Sequence, residues 1–202
     1  MKEKYNPEVW DYFFSTEDRG RWPSEDLVRF IMGQYKKISD RKHIAILDLG
    51  CGEGGNMRFL QKEGFNVVGL DGSLVALQKN KCITKSENMN YKLVNANFAQ
   101  LPFKSESFDC VVDIASLQHN TFSNISLIVN QIYDFLKKEG FFFSFCLRKG
   151  SYFTSRRYTH FFARNEISRA YRRFSNVSLD KAERTFNNGK YCWKYWIVSV
   201  QK

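Results

Sequence analysis

Proline and histidine are both scarce in this chain, three of each in 202 residues. The five cysteines (Cys51, Cys82, Cys110, Cys146, Cys192) are odd in number and far apart, with no Cys-x-x-Cys pair and no Cys/His cluster. That spacing speaks against a disulfide framework and against structural zinc; it points to reduced thiols inside a cytoplasmic protein. No apolar run approaches the roughly 18 residues of a membrane span. The densest run, at 141–145, is only strand-sized. The opening MKEKYNPEVWDYFF mixes charges and lacks an apolar stretch, so it does not read as a signal peptide. Repeats and low-complexity segments are missing too, and a 43% apolar, 16% aromatic composition is too rich for disorder.

What is present fits one domain with a large core. Residues 1–40 read as a helical arm or lid and 41–202 as the main body. The formal charge is +10, which first suggests a polyanionic partner. The excess is confined, however. Residues 1–120 hold 16 Lys/Arg and 16 Asp/Glu, whereas 121–202 hold 15 and 5. The C-terminal part alone therefore carries the charge.

The arm holds Tyr5, Trp10, Tyr12, Phe13 and Phe14, then WPSED at 22–26, a helix start with acids in the first turn. Leu27, Val28, Phe30, Ile31 and Tyr35 continue it as an apolar helical face. From residue 44 short apolar runs alternate with helical stretches. Strands are expected at 44–47, 66–70, 91–94, 108–114 and 140–147. A long helix runs through Ile125 to Leu136 and is expected to close at Gly140 as its C-cap. A helix at 165–174 and a β-prone tail at 191–200 follow. Such alternation predicts an α/β fold, a doubly wound parallel sheet covered on both faces. Ligands in such sheets bind beyond the carboxyl ends of the strands.

The first strand ends in DLGCGEGG at 48–55. Its glycines fit two templates, a dinucleotide fingerprint through Gly50, Gly52 and Gly55, or Asp-x-Gly-x-Gly-x-Gly through Asp48, Gly50, Gly52 and Gly54. The acid separates them. A carboxylate at the lip repels a pyrophosphate and attracts an ammonium. Asp48 thus favours S-adenosylmethionine, which carries an amine and a sulfonium and no phosphate. Asp71, ending the second strand, can accept from both ribose hydroxyls of either cofactor.

These motifs resemble those of the class I S-adenosylmethionine-dependent methyltransferases: ILDLGCGEGG at 46–55, VVGLDGS at 67–73 and NANFAQLPFKSESFDCVVD at 95–113. The likeness covers about 40–147. It implies a Rossmann-like, mostly parallel seven-stranded sheet with an antiparallel C-terminal strand. It also implies that Asp48, Gly50, Cys51 and Gly52 hold the methionine end, Asp71 the ribose, and Gly72 or Ser73 the adenine edge. Asn97 stands where the family usually has Asp beside adenine; its amide oxygen can still accept from the adenine amine. Phe98 would add its backbone there. S-adenosylhomocysteine is the implied product.

For the chemistry, DIASLQHN at 113–120 follows the fourth strand, where the methyl would be presented. His119 is the base candidate for a hydroxyl acceptor, with Gln118 and Asn120 as orienting donors. The chain lacks an Asp/Asn-Pro-Pro-aromatic signature, a Pro-Cys nucleophile and an acidic triad for magnesium, so no metal site is expected. These absences leave metal-independent methylation of a small molecule. Arg148, Lys149, Arg156 and Arg157, interleaved with Tyr152, Phe153 and Tyr158, suit an acceptor bearing phosphate or carboxylate. The WPSEDLVRF, SLQHN and RKGSYF segments are similar to bacterial methyltransferases that accompany surface (capsular) polysaccharide enzymes. The expected activity is O-methylation of a sugar or phosphate-bearing molecule such as a nucleotide-linked sugar. A nucleic-acid methyltransferase and a non-catalytic cofactor-binding subunit are the competing readings. Tyr12, Arg21 and Trp22 are candidate lid residues, and His160 a candidate for the acceptor pocket.

Overall fold

A computed structural model describes residues 7–17, 22–152 and 158–202. Arg21, Phe153, Arg156 and Arg157, together with Tyr5, lie outside the described residues. Two helices come first, α1 (Pro7–Thr16) and α2 (Glu25–Tyr35). Ser24 stands at the N-cap position of α2 without a side-chain capping bond, Glu25 and Asp26 fill its first turn, and Leu27, Ile31 and Tyr35 form a buried stripe at four-residue spacing. The sheet then begins with β1 (Ala45–Leu49), followed by α3 (Gly55–Lys62), β2 (Asn66–Asp71), α4 (Leu74–Ser86) and β3 (Lys92–Asn95). Next come β4 (Phe108–Ile114), a single 3-10 turn at Leu117–His119, α5 (Phe122–Phe135) and β5 (Leu136–Leu147). The chain closes with α6 (Arg164–Ala170), β6 (Ser175–Phe186) and β7 (Tyr191–Gln201).

The seven strands form one sheet in the order β3-β2-β1-β4-β5-β7-β6. β1 to β5 pair in parallel, and β7 runs antiparallel to both β5 and β6. The expected doubly wound sheet with an antiparallel C-terminal strand is therefore present. Strand alternation splits the core in two. Ile46, Cys110, Val112, Phe143 and Phe145 face α2 and α3, while Leu47, Val111, Phe142 and Val198 face α5 and α6. Phe142 and Phe143 are both buried, on opposite faces, and each such ring contributes about 1.5–3 kcal/mol.

Two local expectations change. α5 stops at Phe135, and Gly140 is not its C-cap but a residue inside β5. Leu136 already pairs with Phe108, and a bulge follows between Phe108 and Cys110. A Cβ at residue 140 would meet the carbonyls of Lys137 at 2.9 Å and Asp109 at 3.2 Å, so glycine serves close backbone approach there. The second change is β6, which the sequence reading did not place. It lies at the sheet edge, pairs only with β7 and is exposed along most of its length, so it lacks an apolar face to betray it.

Candidate functional site

The carboxyl ends of β1, β2 and β4 open into one cavity of about 820 Å³. β1 delivers Asp48 and the glycine turn. Gly50 (φ +76°) and Gly52 (φ +52°) take left-handed conformations that side chains disfavour. At Gly50 a Cβ would also collide with the Ser116 side chain and reach Phe98 at 3.3 Å. The N–H groups of Gly50 and Cys51 both donate to the Leu70 carbonyl, at 2.7 and 3.0 Å, which fixes the turn against β2.

Asp48 is fully buried, and neither carboxylate oxygen makes a hydrogen bond of ordinary geometry; the Asn56 side chain lies near enough to ease its charge only in part. Burial raises its pKa from 3.8 to about 8, and the carboxylates of Asp113 and Asp71 add to the rise. An unsatisfied buried carboxylate costs free energy and calls for a cation. Asp71 contrasts with it. One oxygen accepts from Gly52 N (2.9 Å) and the other from Ser73 N (2.8 Å). Burial still raises its pKa, opposed by the N–H groups of Ser73, Gly52 and Gly72. Ser73 caps α4 through Ala76 N at 3.1 Å and donates to Asp11 of α1 at 2.6 Å. Asp11 also accepts from Val75 N at 3.2 Å, so α1 is tied to the start of α4.

Among the residues expected to hold the cofactor, Gly50, Cys51, Gly52, Asp71, Gly72 and Phe98 line the cavity, and Phe14 and Trp10 of α1 face them. Asp48 and Ser73 lie buried behind that wall. Asn97 is exposed outside it, with its side-chain oxygen accepting from Ala99 N at 2.9 Å.

β4 delivers the chemistry-bearing turn. Asp113 is buried; one oxygen accepts from the N–H of Ser116 and of Leu117, both at 3.0 Å, and from the Ser116 hydroxyl. Its other oxygen accepts from the Ser144 hydroxyl at 2.7 Å. These bonds set the turn that presents His119 to the cavity. The Nδ1 of His119 lies 2.9 Å from the Tyr158 carbonyl, and its ring meets Trp10 edge-on at 4.7 Å. Gln118 and Asn120 also line the cavity, yet their polar ends are engaged elsewhere. The Gln118 Oε1 accepts from Leu147 N at 2.8 Å, and the Asn120 amide donates to the Leu117 carbonyl at 3.2 Å. These bonds help to hold the turn in place.

The far wall is aromatic: Phe145 of β5, Trp193 and Tyr195 of β7, and Trp22 before α2, with Arg184 of β6 among them. Trp193, Tyr195 and Arg184 are not among the residues expected at the site from sequence. The signal was the alternation Tyr191, Trp193, Tyr195, which places three rings on one face of β7.

The basic residues expected at this wall are placed differently. Arg148 pairs with Glu183 and lies 5.4 Å from the Trp196 ring; Tyr152 stacks on Tyr191 at 4.2 Å. Neither lines the cavity. Lys149 sits 3.8 Å from Glu166; Arg173, which is not expected at this wall, bonds Asp134 at 2.7 Å. His160 packs on Phe122 with Nε2 3.4 Å from Glu166 and does not join the cavity either.

Residues 46–140 match the family model described as methyltransferase domain. The likeness is to a domain of that kind, over 95 of the 202 residues. The domain holds β1 to β4 and the glycine turn, so the fold and the match coincide. Relatives reach further along the chain. One is a glycine/sarcosine/dimethylglycine N-methyltransferase of Actinopolyspora halophila, 30% identical over 69% of this chain and 27% of its own length. Another is a sterol 24-C-methyltransferase of Kluyveromyces lactis, 32% identical over 65% of this chain and 36% of its own. The chain thus spans only about a third of the length of these curated relatives.

Solved structures share the fold. An S-adenosylmethionine-dependent methyltransferase of Methanosarcina mazei superposes with a TM-score of 0.71 at 18% identity, covering 85% of this chain and 96% of that one. TehB of Haemophilus influenzae gives 0.73 at 20% identity, covering 95% and 66%. Among the described residues no helix is long and apolar enough to cross a membrane, and no cluster of three or more His, Cys, Asp or Glu could hold a metal.

Proposed function

We propose that the protein is an S-adenosylmethionine-dependent methyltransferase that methylates a hydroxyl of a small acceptor, a sugar or phosphate-bearing molecule such as a nucleotide-linked sugar. The observation that carries the cofactor assignment is Asp48, a buried acid with no hydrogen bond of ordinary geometry, beside a glycine turn in left-handed conformation whose Gly50 leaves no room for a side chain. An α-ammonium group satisfies such a carboxylate, and a phosphate would be repelled by it. Asp71 keeps acceptor capacity for ribose hydroxyls, because each oxygen takes one N–H and can take a second bond. Phe98 offers a flat apolar surface for adenine, with Gly72 and Ser73 at its edge. When bound, S-adenosylmethionine supplies a methyl group on a sulfonium, already activated for in-line transfer.

What remains for this chain is positioning and proton removal. His119 belongs to the turn after β4, between the cofactor half of the cavity and its aromatic half. A carbonyl oxygen only accepts, so the Tyr158 contact puts the imidazole hydrogen on Nδ1 and the lone pair on Nε2. That tautomer takes a proton from an acceptor hydroxyl. The Asp113 cluster holds the turn, and α1 and α2 cover the cavity as a lid.

The aromatic wall suits the flat face of a sugar ring. The WPSEDLVRF, SLQHN and RKGSYF segments support a place beside enzymes of bacterial surface polysaccharide. A polynucleotide acceptor is the weaker reading, since Arg148, Lys149 and Arg173 are taken up by Glu183, Glu166 and Asp134. The deciding experiment measures S-adenosylhomocysteine release across nucleotide-sugars, sugar phosphates, small amines and RNA. Release with the sugar compounds supports the proposal; release with RNA or amines alone overturns it.

A further inference from the structure

The acid and base groups around the cavity do not match in their engagement. Glu53 pairs with Lys79 at 3.2 Å, Glu25 with Arg29 at 2.7 Å, and Asp71 is bound by backbone N–H groups. Against these stands a single Lys or Arg among the described lining residues, Arg184. Its position follows from register. On β6 it lies directly opposite Trp193, two pairs along from Ala182 opposite Tyr195, so it shares the face that bears the aromatic wall. Its guanidinium is 5.8 Å from the Phe145 ring and 6.0 Å from the Tyr195 ring. Both rings line the same cavity.

The hold on this guanidinium is light. It makes one hydrogen bond, from Nη2 to the Asp26 carboxylate at 3.5 Å, the outer limit for such a bond. A guanidinium carries five N–H donors in a planar fork that matches carboxylate and phosphate oxygens, so most of its donor capacity is open to a ligand. The Phe145 and Tyr195 rings, stacked on each other at 4.3 Å, give the fork an apolar bed and lower the local dielectric, which strengthens a charge-assisted bond. The side chain remains half exposed, so an incoming anion can reach it.

We infer that Arg184 selects the acceptor. It grips a phosphate or carboxylate group on a ring-bearing acceptor whose ring lies against Trp193 and Tyr195, taking the guanidinium over from Asp26. This rests on the methyltransferase reading above and moves the expected anion contact from the loop after β5 to the edge strand β6.

The test is calorimetric titration of the full chain, with and without saturating S-adenosylhomocysteine. The probes are glucose 1-phosphate, glucuronate and uncharged methyl glucoside. At least one anionic sugar should bind about ten-fold tighter than methyl glucoside, as a charge-assisted fork requires. The better of the two identifies phosphate or carboxylate as the group selected. Arg184→Gln should bring all three within about two-fold, and Arg184→Lys should keep part of the preference because the charge stays while the fork is lost. Asp26→Asn should tighten the anionic probe about two- to five-fold by releasing Arg184. Equal binding of all three probes to the native chain, or a preference that survives Arg184→Gln, overturns the inference. Failure of S-adenosylhomocysteine to bind would instead strike the cofactor reading, and the probe comparison made without it still decides the role of Arg184.

Discussion

The Nδ1 atom of His119 donates to the carbonyl oxygen of Tyr158 across 2.9 Å. A residue 39 positions later in the chain therefore sets which imidazole nitrogen keeps its lone pair. If that lone pair serves as the base, His119→Gln should cut turnover of a hydroxyl acceptor by about 10²–10⁴-fold. Cofactor affinity should stay within about two-fold of native, because the Asp48 side of the cavity is untouched. Turnover of the variant should recover partly as pH rises and hydroxide takes over the proton. Unchanged turnover in His119→Gln would remove the base role.

Asp48 couples stability to pH. Its folded pKa of about 8 lies above the ordinary 3.8, so the folded chain holds a proton there that the unfolded chain has released. Between those values the unfolded state binds fewer protons, and stability from this group falls as pH rises. The cofactor-free protein should lose thermal stability from pH 5 to pH 8 more steeply than Asp48→Asn. At pH 8 the variant should melt higher, at about 2–4 °C per kcal/mol for a chain of this size. Cofactor binding should weaken by about 100-fold or more in the same variant, since the cation partner is gone. Thermal melts and calorimetry at both pH values check the two directions together.

The two glycines of the turn should not respond alike to alanine. Both have positive φ and incur strain of order 1–3 kcal/mol. Gly52→Ala meets only the Phe14 ring, at 3.4 Å, which is ordinary contact. Gly50→Ala drives its methyl group into Ser116, part of the Asp113 cluster that holds the His119 turn. Gly50→Ala should therefore lower both stability and cofactor affinity more than Gly52→Ala. A similar loss in the two variants would show that the Ser116 contact relaxes at no cost.

Asp11 ties the first helix to the cofactor side through the Ser73 hydroxyl and Val75 N. Asp11→Ala should cost about 1 kcal/mol at the start of α4 and loosen residues 7–16. Amide exchange should accelerate across that segment, with a several-fold weaker cofactor affinity. Exchange rates equal to native would show that Trp10, Phe13 and Phe14 hold the helix down without the carboxylate.

Sequence reading reached the cofactor half of the site because its signals are local. A strand, a turn needing glycine and an acid at a fixed offset lie within ten residues at 46–55, and the same grammar recurs at 67–73. The charge of Asp48 is legible in sequence, whereas its complete burial without a hydrogen bond of ordinary geometry is not. The acceptor half was not legible in the same way. Arg184 gains its meaning only from pairing with Trp193 across a hairpin, and from a helix start at Asp26 far away in sequence. Net charge is a blunt guide for a related reason. A count of arginines cannot see that Glu183, Glu166 and Asp134 face several of them. The C-cap assigned to Gly140 failed because a glycine that ends a helix and one that admits two backbone carbonyls look identical in a sequence.

The order of the sheet divides the cavity between different stretches of chain. The glycine turn, Asp71, Phe98 and His119 all belong to the central segment, whereas Trp22, Arg184, Trp193 and Tyr195 come from the two ends. β5 joins the parts, with Phe145 at the seam. A library confined to residues 22–35 and 175–201 would thus diversify acceptor choice over a constant cofactor-binding centre. Chimeras that exchange those terminal stretches between related chains become the natural route to new specificities.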